Sequence, residues 1–207
     1  MLRRSIFTST ALALLLSLAA CENKEEEIVI RTDAPRFDVI EATITEMQAA
    51  MTDGTLTSRD LTLTYLARIA TYENLLNATI AVNPNALGEA ERLDRERAEG
   101  TVRGPLHGIP VALKDNIHTT DMPTTGGAQA FAGLVPPYEA TLTENLREAG
   151  AIILAKTVLT ELANWVAGDP FESPDNFSPL GGYASNPYDP RRDPRLATTE
   201  VWPVLET

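Results

Sequence analysis

Two uninterrupted apolar runs constrain this chain most: Ile109-Pro110-Val111-Ala112-Leu113 and Ala151-Ile152-Ile153-Leu154-Ala155. Neither alternates apolar with polar residues, so each suits a strand covered on both faces. Each is followed by a lysine, Lys114 after the first and Lys156 after the second. Between them lie a Thr-, Pro- and Gly-rich stretch from Thr119 to Pro137 and an amphipathic segment, Ala140 to Ala149, that Gly150 stops. Helices alternating with continuous apolar strands predict an α/β layered fold, a mixed sheet flanked by helices. No internal repeat is visible.

The residues before the first run read as helical packing layers. Asp38 and Glu41 have capping-box spacing, and Val39, Ile40, Ile44, Met47 and Met51 recur at helical intervals before Gly54. Thr57 and Asp60 repeat that spacing for a second helix, whose apolar face would carry Leu61, Tyr65, Leu66, Ile69, Tyr72 and Leu76. Ala78 to Val82 is a short β-prone run. Asn83-Pro84 then opens a third helix, Asn85 to Glu99, ended by Gly100; its Glu and Arg residues predict a solvated face. Past the second apolar run, Thr160 to Val166 reads as a short helix. Asp169 to Pro194, dense in Pro, Gly, Asn and Asp, reads as a long loop.

The N-terminus carries a different signal. Arg3 and Arg4 precede an apolar run, Ala11 to Ala20, that is too short to span a bilayer as a permanent helix. It ends Leu18-Ala19-Ala20-Cys21, which resembles a bacterial lipobox, cut before a cysteine that takes diacylglycerol. The other reading is an ordinary signal peptide beside a chance cysteine. Cys21 is the only cysteine in the chain, so no intramolecular disulfide exists to claim it. Glu22 to Glu27 reads as a solvated tether. The formal charge of −12 becomes two units more negative without residues 1–20, which hold two arginines and no acid. Such acidity repels nucleic acid and anionic headgroups, so neither nucleic-acid binding nor a polybasic membrane patch is expected.

Lys114 is the first candidate for chemistry. A lysine ending a buried strand is partly desolvated, which disfavours its charge and suits a general base. Spacing alone favours the other reading, a structural lysine paired with Asp115. Other groups are weaker. Ser173, Ser178 and Ser185 sit in the Pro-rich loop without a nucleophile-elbow motif. His107 and His118, the only histidines, lack close carboxylate or cysteine company for zinc. Neither Gly126-Gly127 nor Gly181-Gly182 is followed by the Lys-Ser/Thr of a phosphate loop. No metal or organic cofactor is expected.

The segment from Gly104 to Ile117 (GPLHGIPVALKDNI) resembles the opening motif of amidase-signature hydrolases. Matches follow in the same order: Thr124-Thr125-Gly126-Gly127, then Ala149 to Thr157 with Glu161 beyond it, then Asn186-Pro187-Tyr188-Asp189-Pro190. The resemblance implies that Lys114 is the base of a Lys–Ser–Ser unit with a cis-peptide bridging serine. Lys156 is then structural, and His107 orients a loop. It also implies a serine nucleophile, an acyl-enzyme and an oxyanion site in a Gly/Ser-rich loop after Pro190. Residues 191–207 contain neither Gly nor Ser, so those partners are not among them.

These features predict four parts: a lipoprotein signal over 1–20, lipidated Cys21 with a charged tether over 21–36, a partial amidase-signature domain over 37–195, and a divergent or truncated tail over 196–207. The expected function is the N-terminal half of an exported, lipid-anchored amide hydrolase of the bacterial envelope. Its substrate would be a small or peptide-like amide, and this chain alone would be inactive. The alternative is a non-catalytic lipoprotein, a binding or scaffold module derived from an amidase. With the rest of the sheet absent, part of the cover of the two apolar strands is expected to be missing.

Overall fold

The computed structural model describes residues 37–164, 177–190 and 201–203. The expected signal segment, Cys21, the tether and most of the tail lie outside them. The order of elements is α1 (Ile44–Thr52), α2 (Ser58–Leu76), β1 (Thr79–Val82), α3 (Ala86–Ala98), β2 (Pro110–Lys114), α4 (Thr141–Glu148), β3 (Ile152–Thr157), β4 (Phe177–Ser178), β5 (Gly182–Tyr183) and β6 (Val201–Pro203). Short 3₁₀ turns fall at Gln129–Phe131 and Glu161–Asn164. The mixed α/β class read from the sequence is the observed one.

The starts of α1 and α2 follow side-chain oxygens. Thr57 caps α2 as expected, accepting from Asp60 N. The first helix begins later than Asp38: Thr43 accepts from Glu46 N while the Glu46 carboxylate accepts from Thr43 N, a full capping box. Asp38 instead closes a turn with Ile40 N, and Glu41 has a left-handed φ of 56°. Two threonine–glutamate or aspartate–glutamate pairs had the right spacing, and the pair with Met47 and Met51 buried behind it prevails. Within α2, Leu61 and Tyr65 are buried, whereas Tyr72 is 45% exposed and stacks under Arg68. The charged face of α3 is not merely solvated. Asp94 accepts from Ser58 N and Arg59 N, adding a second cap to α2, and Glu89 pairs with Arg147 of α4.

The four-stranded sheet has the order β1-β3-β2-β6. β2 and β3 are parallel, and β1 runs antiparallel to β3. The register of β2 on β3 shifts by one residue: Val111 faces Ile153 but Ala112 faces Ala155, leaving Leu154 as the extra residue. Asn83 serves this region, its backbone N donating to Leu154 O and its side chain to Ile153 O. The edge of β2 away from β3 is met by β6, antiparallel with Ala112 opposite Trp202.

Two cores flank the sheet. Ala112, Ile152, Leu154 and Ala155 pack with α1, α2 and α3, and Val111, Leu113, Ala151 and Ile153 pack with Met122 and Leu146 of α4. Full burial of such side chains stabilises by about 1.5–3 kcal/mol each. Two further expectations are corrected. The helix expected over Thr160–Val166 is, over its described part, a turn with Leu162 and Ala163 left-handed at φ 49° and 54°. The loop expected over Asp169–Pro194 contains the β4–β5 hairpin.

Candidate active site

The carboxyl ends of β2 and β3 lie side by side, with Lys114 opposite Thr157 and Leu113 opposite Lys156. In open α/β sheets such strand ends are where reacting groups collect. The two lysines that looked equivalent in sequence differ sharply here. Lys114 is half-buried, and its ammonium has no ion-pair or hydrogen-bond partner among the described residues. It does not pair with Asp115, so that structural reading fails. Lys156 is fully buried and takes Asp115 instead, with Nζ 3.3 Å from Oδ1.

Around Asp115 a loop is held against the strand ends. Its Oδ2 accepts from Thr125 N at 3.1 Å and from Thr125 Oγ1, and its carbonyl accepts from Gly126 N. Lys156 Nζ donates to Thr124 Oγ1 at 2.9 Å and to Pro123 O at 3.3 Å. Burial pushes the Lys156 ammonium below its usual range, and the Asp115 carboxylate opposes that. A buried lysine–aspartate pair thus pins residues 123–126 against the ends of β2 and β3. Gly127 extends the clamp. Its φ is +70°, and a Cβ there would come within 2.7 Å of Leu159 O, so only glycine lets the two loops approach.

Of the three serines, Ser178 is buried and saturated: Oγ donates to Gly127 O and accepts from Leu180 N and Gly181 N. It is a brace, not a nucleophile. Ser185 donates its backbone N–H to Leu76 O, and Ser173 lies outside the described residues. His107 is fully buried with both ring nitrogens engaged, Nδ1 by Arg103 N and Nε2 with Leu93 O, which makes it a loop anchor without a metal-binding face. Its neighbour Gly108, at φ +81°, abuts Ser58, where a Cβ would collide with Oγ. His118 stacks on Tyr138 at 5.2 Å. The role of Asp115 and Thr125 went unread in the sequence; the matched Thr124–Gly127 segment was the available signal.

A family model described as Amidase matches residues 60–194. A probable amidase of Arabidopsis thaliana is 40% identical over 190 residues, covering 90% of this chain and 36% of the relative. A putative amidase of Schizosaccharomyces pombe is 40% identical over 150 residues, covering 72% of this chain and 25% of the relative. Among solved structures, the native peptide amidase from Stenotrophomonas maltophilia superposes with a TM-score of 0.70 at 45% identity, over 74% of this chain and 31% of that one. The chain therefore spans about a quarter to a third of the length of these relatives.

Proposed function

Since the chain belongs to the amidase family, we propose that it is the lysine-bearing, N-terminal portion of an amide hydrolase. Lys114 is the general base of that site, acting on a small or peptide-like amide. The observation that carries this reading is the contrast at the strand ends: Lys156 is buried and paired with Asp115, while Lys114 is half-buried and its ammonium has no partner among the described residues. A base must also have its nitrogen free to receive a proton, and among the described residues no carboxylate holds the Lys114 nitrogen, whereas Asp115 holds that of Lys156. The serine nucleophile, the bridging serine and the oxyanion donors are not among residues 191–207, so these 207 residues by themselves do not turn over amides. No cofactor enters the chemistry.

The test is a single-chain chimera in which residues 37–190 replace the matching part of the Stenotrophomonas maltophilia peptide amidase. Amide hydrolysis is expected, and Lys114→Ala should remove it by about 10³-fold or more, as losses of members of a catalytic unit do. Hydrolysis that survives Lys114→Ala refutes the assignment. A burst of product from the 207-residue chain alone refutes its inactivity, and the assignment of Lys114 with it only where Lys114→Ala leaves the burst intact.

The export and anchoring reading rests on Leu18-Ala19-Ala20-Cys21. Among the described residues no helix is long and apolar enough to cross a membrane. We propose that the chain is held at a bacterial envelope membrane by lipid on Cys21. Cys21→Ser should move the protein out of the membrane fraction of a bacterial host; retention there sinks the proposal.

A further inference from the structure

Lys114 is the last residue of β2, and the residue that follows it is tied down at every polar atom. Asp115 N donates to Thr157 O at 3.1 Å, which continues the ladder of β2 on β3, and its carbonyl accepts from Gly126 N at 3.1 Å. Oδ2 accepts from the N–H and the hydroxyl of Thr125, and Oδ1 lies 3.3 Å from Lys156 Nζ. The side chains of Asp115 and Lys156 are both fully buried. The ties run on outward. Thr125 Oγ1 accepts from Gly127 N, Gly127 O accepts from the buried Ser178 hydroxyl, and Gly126 O accepts from Leu162 N. Asp115 thus joins the end of β2 to β3, to the Thr124–Gly127 loop and, through that loop, to the β4–β5 hairpin.

Successive side chains along a strand point to opposite faces. The Asp115 carboxylate lies on the side of Lys156 and Thr125, so the Lys114 side chain leaves β2 on the other side, the face of Ala112. The two directions are linked through one planar, stiff peptide unit. A twist of the strand end that redirected Lys114 would pull the Asp115 carboxylate away from Thr125 and Lys156, and parting a buried charge from its partner is strongly unfavourable. Stability alone does not account for such a pair, since apolar residues of equal volume often serve as well or better. What the pair supplies is a fixed direction.

We propose that Asp115 is a positioning residue, whose buried bonds to Lys156 and Thr125 fix the direction in which Lys114 leaves the strand. This rests on the reading of Lys114 as a general base and adds what aims it. Proton transfer needs the two heavy atoms within about 2.6–3.2 Å of each other, and a misplacement of about 1 Å can cost about 10²-fold in rate. Asp115 acts through the backbone that it shares with Lys114, not on the substrate.

The experiment uses the single-chain chimera for kinetics. Thr125→Val takes the hydroxyl from Asp115 Oδ2 and leaves both buried charges in place. It should lower kcat by about 10²-fold with KM changed less than about twofold, as for an interaction that counts only in the transition state. Thr125→Ser keeps the hydroxyl and should restore most of kcat. The Asp115→Asn/Lys156→Met double variant removes the clamp without stranding a charge and should resemble Thr125→Val. Thr43→Ala, which removes the cap of α1 and none of these bonds, should lower the melting temperature and spare kcat. Circular dichroism verifies that each variant is folded at the assay temperature. A folded Thr125→Val or double variant with the kcat of the parent, or a loss confined to KM, overturns the proposal. A second measurement needs no turnover. The chain has three lysines, Lys24, Lys114 and Lys156, so reductive methylation with isotope-labelled formaldehyde gives a nuclear magnetic resonance spectrum in which Lys114→Arg assigns one signal. In the Cys21→Ser chain that signal should shift or split with Thr125→Val and stay unchanged with Thr43→Ala; a signal blind to Thr125→Val overturns the proposal. A chimera inactive throughout, with the signal responding, sinks only the hydrolase reading. Activity abolished by Lys114→Ala yet untouched by Thr125→Val and the double variant sinks only the positioning role.

Discussion

Removing both partners of the Lys156–Asp115 pair should cost clearly less than the sum of the two single removals. Both side chains are fully buried; among the described residues Lys156 Nζ meets Asp115, Thr124 Oγ1 and Pro123 O, and the Asp121 carboxylate adds a weaker attraction. Lys156→Met leaves the Asp115 carboxylate with its two Thr125 donors but no counter-charge, a change worth about 3–5 kcal/mol. For Asp115→Asn the loss has a ceiling. A stranded ammonium can release its proton, and neutralising a lysine with an ordinary value of 10.5 at pH 7 costs about 5 kcal/mol at 1.36 kcal/mol per pH unit. Burial already pushes Lys156 downward, so the actual cost falls below that ceiling. The double variant removes both charges and should be milder than the sum of the singles by about 2–3 kcal/mol, within the range of measured coupling between contacting residues. Urea unfolding of the Cys21→Ser chain at pH 7, followed by circular dichroism, reads all four corners of the cycle. Additive losses, or single losses under about 1 kcal/mol, would refute the claim that this pair is a desolvated clamp rather than a solvated contact.

Asn83→Ala should cost about 1–3 kcal/mol in the same assay, because it strips the donor from the buried Ile153 carbonyl; Asn83→Asp should be worse, with Glu89 and Asp121 both near the amide it replaces. Tyr65→Phe should be neutral or mildly stabilising, since the buried hydroxyl has no hydrogen-bond partner; a loss above about 1 kcal/mol would mean that it has one. Stability should also fall in acid. The backbone N–H of Thr43 holds Glu46 below its usual carboxylate range, and Arg103 does the same for Glu96. Both contributions are complete above about pH 4.5 and vanish as the pH drops through the lowered folded values, so a melting temperature flat from pH 5 to 3 would contradict them.

The sequence was most legible where one rule acted alone. The two apolar runs became β2 and β3, Gly54, Gly100 and Gly150 follow helix ends in left-handed conformations, and Thr57 caps α2. It misled where two local signals competed, as at Asp38 and Thr43, because only packing behind Met47 and Met51 decides between equal spacings. It was silent where long-range polar partners decide. Asp94 capping α2, Asn83 reaching Ile153 and Asp115 clamping Thr125 each join residues far apart in sequence. A helix is expected over Thr160–Val166, yet Leu162 N donates to Gly126 O, and at that loop contact Leu162 and Ala163 are left-handed.

The separate fates of the two lysines show what strict alternation cannot supply. Side chains along a strand alternate between faces, so Lys156 should share the face of Ile152 and Leu154, the face packed on α1–α3. Lys114 continues the face of Ala112, which is that same side. Two ammonium groups on one face at adjacent strand ends would repel, and neither would be free of the other. The extra residue Leu154 reverses the outcome. After the register shift, Ala155 takes the helical face beside Leu154, and Lys156 turns to the opposite side, toward Thr124 and Asp115. One inserted residue thus separates a buried, paired cation from an accessible, unpaired one. Asn83, bonded to the carbonyls of Ile153 and Leu154, holds the insertion in place.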